Sequence, residues 1–346
     1  MKILYVTPRY YPHIGGVEYV VKSIAERLAK MGHEVTVLAG EPSVKRAREE
    51  FVNNVKVIRW PTWTLKEAFH IPRIRSKLMS TLKELIKVID VAHIHSAHAV
   101  LPVYIGIKVK ELYPNVKLIF SPHYHAHGHT LIRELAWQML WRKYVRKLIK
   151  YSDKIHAVSV VEAERIVRHY PEAKDKLIII SNGVEEDVFQ YKWKGQNSDY
   201  TIYAGRIEKY KRIDEAYEVI KSIDMNLKFF VVGSGPYLQK LKKKLAGKDV
   251  VFLPSQPRET YLQLLSDAKY AVNLSVNEAY SIFIAEALAI GVPCIASTTI
   301  AKALNAETQK LPYADNVTLL YEAKIATWNE VVKKLVRLYN QVYINL

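Results

Sequence analysis

Short apolar runs alternate with stretches of helical spacing along nearly the whole chain, and this alternation narrows the fold class before any single residue is considered. Lys2–Thr7 reads as a strand. Val17, Val20, Val21, Ile24, Ala25 and Leu28 then recur at helical spacing as far as Met31, Gly32 stops the helix, and His33–Leu38 is the next strand. Such a βαβ unit closes as a parallel strand pair with its helix on one face. Further strands are expected at Val55–Trp60, Asp90–His95, Val116–Ser121, Lys154–Ser159 and Leu177–Ile180, with a polar stretch from residue 41 up to the first of them. Helices are expected over 73–88, 99–112, 132–151 and 162–170. A second series opens at Tyr200, with strands at Tyr200–Ala204, 227–232, 250–253, 270–274 and Val292–Ala296. Helices at 213–223, 237–246, 259–267 and about Ile282–Ile290 separate them. Two such series predict two parallel-sheet α/β domains, 1–185 and 186–327. An amphipathic helix runs from Trp328 towards the end of the chain.

The 346 residues suffice for two domains. There is no run of 18 apolar residues, and the sequence opens directly on a strand, so neither a membrane span nor a signal peptide is expected. The single cysteine, Cys294, lies in an apolar strand, which excludes an internal disulfide and fits a reducing cytoplasm. The net charge of +17 is uneven: residues 1–185 carry 30 Lys/Arg against 17 Asp/Glu, and the remainder 21 against 17. A basic first half suits a polyanionic neighbour, whether acidic lipid, nucleic acid or an anionic acceptor. Solubility, or the ion-pair networks of a heat-stable protein, accounts for it as well. Nucleic acid is disfavoured, because no recognisable binding motif accompanies the charge. The segment Ile132–Tyr151 sets Leu, Met, Trp and Val against six cations. It would either lie on an anionic membrane or cover the sheet with a solvated basic face.

The stretch 277–297 concentrates the chemistry. Glu278 and Glu286 stand eight apart; Ser281 is a good helix cap, Gly291 a good stop, and Pro293 follows. Glu278 then sits on a loop, and the N–H groups of residues 281–283 form a helix N-terminus suited to a phosphate. Glu286 falls in apolar surroundings where an unpaired carboxylate is costly. The alternative is a pair of ordinary loop and helix-surface charges. Arg206 and Lys211 share a loop after strand Tyr200–Ala204, where open α/β sheets bind ligands, and two cations there suit a diphosphate. The glycine pair Gly15-Gly16 opens the first helix and lets a ligand approach the backbone; it lacks the dinucleotide fingerprint. Seven of the twelve histidines fall between 93 and 129. His123, His125, His127 and His129 could line one face of a strand and bind metal, but Pro122 and Gly128 argue for a loop, and no acidic or cysteine partner completes a site.

Glu278, Ser281-Ile282 and Glu286 resemble the Glu-x7-Glu signature of the retaining glycosyltransferases of family 4, the glycogen synthase or group 1 type, which have the GT-B fold. Ser121-Pro-His123, Asn182-Gly-Val-Glu with Phe189, and Gly205-Arg206 followed by Lys211 resemble further motifs of that family. The match departs at Tyr280-Ser281, where the family often has Phe-Gly, at Arg212 in place of a glycine, and beyond Ser297, where Gly-Gly-x-Pro-Glu is absent.

The resemblance implies two Rossmann-like domains facing each other across a cleft, the first for the acceptor and the second for the donor, with the terminal helix (328–346) packing back on the first. It implies a nucleotide-diphosphate sugar as donor, a hydroxyl acceptor that could be lipid-linked, and no cofactor or metal. It assigns His123 and Glu278 to the donor sugar and Glu286 to the ribose. Arg206, Lys211, Ser281, Ile282 and Gly16 fall to the diphosphate, and Gly15 and Gly16 to the acceptor loop. A hexosyltransferase with retention follows, cytoplasmic or peripheral on the inner face of the cell membrane. A nucleotide-sugar epimerase of the same fold is the alternative, and it would need no acceptor.

Overall fold

The computed structural model describes residues 1–13, 15–65, 68–124, 141–311 and 316–344. Contacts divide the chain into two units, Met1–Ser181 with Trp328–Leu346, and Asn182–Thr327. The expected boundary after residue 185 moves to 181. Val184 donates its N–H to Ala326 O at 2.9 Å and bridges Thr327, which ties this turn to the second unit.

The first unit contains β1 (Lys2–Thr7), β2 (Glu34–Glu41), β3 (Arg48–Val52), β4 (Val55–Leu65), β5 (Ala68–Pro72), β6 (Val91–His95), β7 (Lys117–Ser121), β8 (Lys154–Ala157) and β9 (Leu177–Ile179). Their order is β3-β4-β2-β1-β6-β7-β8-β9, with β5 also paired to β4. Pairs from β4 to β9 are parallel, whereas β3 and β5 run antiparallel to β4. Helices Gly16–Lys30, Arg75–Ile86, Val100–Leu112, Arg142–Tyr151 and Val160–His169 make the connections. The stretch expected to be merely polar holds β3. Asn53 and Asn54 both have positive φ (50° and 66°), as a two-residue hairpin turn demands. Lys56–Glu49 and Arg59–Glu50 ion pairs at 2.8 and 2.6 Å then hold an edge strand that has no apolar face.

The terminal helix Trp328–Ile344 belongs to this unit and buries Trp328, Val331, Val332, Leu335, Leu338, Tyr339 and Val342. Its Tyr339 joins a polar chain across the sheet whose direction is determined. Ile180 O can only accept, so His156 donates to it from Nε2 at 2.8 Å. Burial lowers the His156 pKa to about 4, so the ring is neutral and its Nδ1 accepts from Ser121 Oγ at 2.7 Å. Ser121 in turn accepts from His93 Nε2 at 2.8 Å. His93, also held neutral by burial, accepts at Nδ1 from Tyr339 OH at 2.7 Å, and Tyr339 accepts from Tyr5 OH.

The second unit contains β10 (Tyr200–Ala204), β11 (Lys228–Val232), β12 (Val250–Leu253), β13 (Tyr270–Asn273), β14 (Cys294–Ser297), β15 (Glu307–Lys310) and β16 (Val317–Glu322). The order is β12-β11-β10-β13-β14-β16-β15; the first five are parallel and the last two antiparallel. Helices Ile213–Ile223, Leu238–Lys244, Arg258–Ser266 and Ile282–Ile290 link the parallel strands. The strand expected from Val292 starts at Cys294. Val292 N–H is spent on Ala287 O at 2.9 Å, closing the helix around Gly291 at φ 92°. Residues after Ser297 form helix Thr298–Leu304, with Ser297 Oγ as its cap, and then the β15–β16 hairpin.

Candidate active site

In the second unit the strand order reverses at β10, with β11 and β12 on one side and β13 and β14 on the other. Loops leaving the carboxyl ends of β10 and β13 border the crevice that open sheets use for ligands. Arg206 and Lys211 leave β10 and Glu278 leaves β13, so strand adjacency brings the two loops together. The Arg206 loop is fixed by Gly205 N–H to Val232 O (3.0 Å), Ile207 N–H to Ser234 O (2.8 Å) and Tyr237 N–H to Ile207 O (3.1 Å). A Cβ on Gly233 or Gly235 would overlap Gly205 O or Ile207 O. Gly233-Ser-Gly-Pro236 is therefore the seat of this loop.

Lys211 and Glu278 form a salt bridge, with side chains only 15% and 12% exposed. Burial penalises the Lys211 ammonium, but Glu278 outweighs it and holds the Lys211 pKa above its ordinary value. Arg206, on the same loop, has a half-exposed side chain whose Nε lies 3.0 Å from Glu208.

The loop from β13 to helix Ile282–Ile290 is pinned at three points. Asn273 Nδ2 donates to Ser281 Oγ (3.1 Å), Ser275 N–H to Asn273 Oδ1 (3.1 Å), and Ser297 Oγ to Ser275 O (2.6 Å). Ser281 caps the helix by accepting Ile284 N–H at 3.4 Å, a contribution of about 1 kcal/mol. The N–H groups of Ile282 and Phe283 have no acceptor within the helix, which gives this end its partial positive charge.

Glu286 lies one turn further on and is 4% exposed. Its carboxylate is not isolated. Arg258 Nη1 donates to Oε1 at 2.5 Å and Tyr261 OH to Oε2 at 2.7 Å. Arg258 also grips Asp187 through Nε (3.0 Å) and Nη2 (2.8 Å). Burial raises the Glu286 pKa, while Arg258 and Tyr261 pull against it. Sequence reasoning missed Arg258 and Tyr261, since nothing local pairs residues 25 or more positions apart.

The remaining candidates lie in the first unit, on the carboxyl edge of its sheet. Gly15 caps helix Gly16–Lys30 in extended backbone, and a Cβ there would overlap the Glu18 carboxylate; around Gly16 nothing lies within 4 Å of a built Cβ. The preceding loop is held by Arg59, which donates to Tyr10 O (3.3 Å) and Tyr11 O (2.5 Å). Glu41 binds His13 Nε2 at 2.7 Å. Burial acts to raise the Glu41 pKa, but hydrogen bonds from His13 and Ser43 outweigh it and hold the pKa at about 2.

His123 is buried, with Nε2 3.0 Å from His95 Nδ1. Its φ of 47° is left-handed, a strain of about 1–3 kcal/mol that neighbours must offset. Ala97 N–H holds Pro122 O at 2.7 Å, and Tyr124 N–H donates to Glu162 Oε1 at 2.6 Å. Glu162, fully buried, also accepts Val158 N–H at 2.7 Å. Burial pushes its pKa up to about 7 against those two bonds. Glu162 was not singled out from sequence, although Ser159-x-x-Glu162 is a capping-box pattern. His125, His127 and His129 lie outside the described residues. Among the described residues no three His, Cys, Asp or Glu side chains group as a metal site would require.

Of the segment 132–151, residues up to 140, Trp137 included, also lie outside the described ones. Trp141 packs on the core and donates from Nε1 to Ala97 O at 2.8 Å. Arg142 binds His169 O (3.1 Å), Arg146 binds Glu172 (2.8 Å) and Lys147 binds Glu111 (2.6 Å). The described part therefore covers the sheet, and two of its five cations, Arg146 and Lys147, are paired with carboxylates of the same unit. No helix among the described residues is long and apolar enough to cross a membrane.

Comparison with known proteins agrees with this arrangement. The family model "Glycosyltransferase Family 4" matches residues 14–188, and "Glycosyl transferases group 1" matches residues 184–309. The N-acetyl-alpha-D-glucosaminyl L-malate synthase of Bacillus anthracis is 24% identical over 309 residues, covering 82% of this chain and 76% of that protein. The alpha-monoglucosyldiacylglycerol synthase of Acholeplasma laidlawii is 25% identical over 328 residues, covering 85% and 80%. Among solved structures, sucrose-phosphate synthase from Thermosynechococcus elongatus superposes with a TM-score of 0.70 at 16% identity over 100% of both chains. Anabaena HepE in complex with UDP-glucose does so with 0.64 at 13% identity, over 99% and 92%. The two units are Rossmann-like domains of the kind found in GT-B enzymes, and the chain is a glycosyltransferase that belongs to Glycosyltransferase Family 4.

Proposed function

We propose that this protein transfers a hexose from a nucleotide-diphosphate sugar to a hydroxyl acceptor with retention at the anomeric carbon. The observation that carries the reading is the second unit's cluster. Lys211 meets Glu278, a capped helix N-terminus opens at Ser281-Ile282, and Glu286 lies in that same helix. The UDP-glucose bound by Anabaena HepE supports this class of donor.

In this reading Glu286 binds the ribose and Glu278 the hydroxyls of the donor sugar. Arg206, Lys211 and the N–H groups of Ser281 and Ile282 are assigned to the diphosphate, with Gly16 as a further candidate for it. His123 is assigned to the donor sugar, and Gly15-Gly16 to the acceptor loop. The bond from C1 to the phosphate oxygen breaks with its electron pair. The acceptor oxygen bonds to C1 from the same face and its proton passes to that phosphate oxygen, releasing the nucleoside diphosphate. Charge growing on the leaving group is met by fixed cations and a helix N-terminus, so the step as written uses neither a metal ion nor an enzyme nucleophile.

Names of relatives include a diacylglycerol glycoside synthase, which supports a lipid among the acceptor candidates and peripheral attachment to an anionic membrane. The test is a thermal-shift screen of UDP-, GDP- and ADP-hexoses, followed by transfer with the best donor in EDTA. The anomeric configuration of the product is then read by NMR. An inverted product removes retention, loss of activity in EDTA removes metal independence, and a donor altered in the absence of acceptor favours the epimerase.

A further inference from the structure

Glu286 is held in a pattern that a ribose contact alone does not explain. A carboxylate offers about four lone-pair directions on its two oxygens. Arg258 Nη1 takes one on Oε1 and Tyr261 OH takes one on Oε2. One direction on each oxygen remains, the arrangement that two neighbouring hydroxyls can fill together. Arg258 itself cannot turn away cheaply. Its Nε and Nη2 are occupied by the two oxygens of Asp187, in the turn that opens the second unit, and this fork-to-fork geometry fixes the plane of the guanidinium.

We propose that Arg258 and Tyr261, with Asp187 behind Arg258, form a positioning brace that keeps Glu286 ionised and aimed, and that this brace sets the site's selectivity for a vicinal diol over a deoxyribose. The inference rests on the ribose reading of Glu286. Its physical basis is the cost of a buried carboxylate. Glu286 is 4% exposed, and burial by itself favours the neutral acid. A protonated carboxyl accepts less well and turns one oxygen into a donor, so it would lose its preference for two donating hydroxyls. Arg258 supplies the opposite charge and Tyr261 a second donor, and neither needs to touch the nucleotide.

The experiment is calorimetric titration of the nucleoside diphosphate that binds tightest among UDP, GDP and ADP, and of its 2′-deoxy counterpart. Wild type, Arg258→Ala, Tyr261→Phe and Glu286→Gln are compared. Wild type should prefer the ribonucleotide by about ten- to a hundredfold, the size of one hydrogen bond to a charged group. Arg258→Ala should bring that ratio close to one by weakening the ribonucleotide, and Tyr261→Phe should lower it severalfold. A merely structural role would weaken both nucleotides equally and leave the ratio unchanged, which overturns the proposal. Tyr261→Phe removes one hydroxyl and no charge, so it decides the matter if Arg258→Ala fails to fold. Should Glu286→Gln keep the full wild-type ratio, the ribose reading itself is lost. If Glu286→Gln loses the ratio while the two brace variants keep it, the ribose reading stands and the brace falls.

Discussion

Replacing Glu162 with Gln tests the electrostatics that hold the His123 loop. The carboxyl is fully buried between the N–H groups of Tyr124 and Val158. Its pKa rises from an ordinary 4.5 to about 7 because burial outweighs both hydrogen bonds. The folded state therefore holds this proton more tightly than the unfolded chain does. The resulting stability is fully present below pH 4.5 and is lost as pH rises through 7. At about 1.4 kcal/mol per pH unit between the two values, the loss is roughly 3 kcal/mol. Gln has nearly the same volume and does not titrate, so the stability difference between wild type and variant should fall by most of that amount from pH 5 to pH 8. The buried histidines His93, His95 and His156 shift the other way, costing stability as pH falls, but they are common to both proteins and cancel in the difference. Calorimetry across that pH range reads it: for a unit of this size about 2–4 °C accompanies each kcal/mol, so the difference in melting temperature should change by roughly 6–12 °C. A difference constant to within about 2 °C would refute the reasoning, because Glu162 would then titrate alike in the folded and unfolded chain.

Arg206→Ala and Lys211→Ala should each lower turnover by about 10²–10³, the scale for one charge-stabilising group; unchanged transfer in both would remove them from the diphosphate site. Tyr339→Phe leaves His93 Nδ1 without a donor and Tyr5 OH without its acceptor, both buried. It should cost about 2–4 kcal/mol in urea unfolding, and a loss below about 0.5 kcal/mol would contradict the oriented chain. Sedimentation at low salt should pellet the protein with anionic vesicles and not with neutral ones. Changing Arg142, Lys143, Arg146 and Lys147 to Gln should reduce pelleting only in part, since Arg146 and Lys147 are already paired with Glu172 and Glu111; no pelleting with either vesicle removes the membrane from the proposal.

What was legible in the amino-acid sequence is what short-range interactions govern. Helix Ile282–Ile290 begins after Ser281 and ends before Gly291 because its cap and its stop lie within one turn of its ends. Strand Tyr200–Ala204 and helix Ile213–Ile223 are read to the residue from the local pattern of apolar positions, without a capping side chain at either end of that helix. The terminal helix announces its buried stripe by periodicity, and the two βα series announce two sheets. Edge strand β3 was missed because neither face is an apolar stripe: Phe51 shares one with Glu49, and Val52 the other with Arg48 and Glu50. The Asn53-Asn54 turn was the one local sign of it, and its other support comes from cross-strand ion pairs.

Tertiary structure alone decided which groups meet. Glu286 finds Arg258 and Tyr261, Glu162 finds the Tyr124 N–H, and one hydrogen-bonded chain gathers Tyr5, His93, Ser121, His156 and Tyr339. Sequence marked Glu286 as a carboxylate in apolar surroundings, which implies that a partner exists without saying where. A hydrogen bond or ion pair between distant residues is weak in water and leaves no periodic trace in the chain. It acquires its direction, and its influence on proton affinity, only when packing removes the water around it.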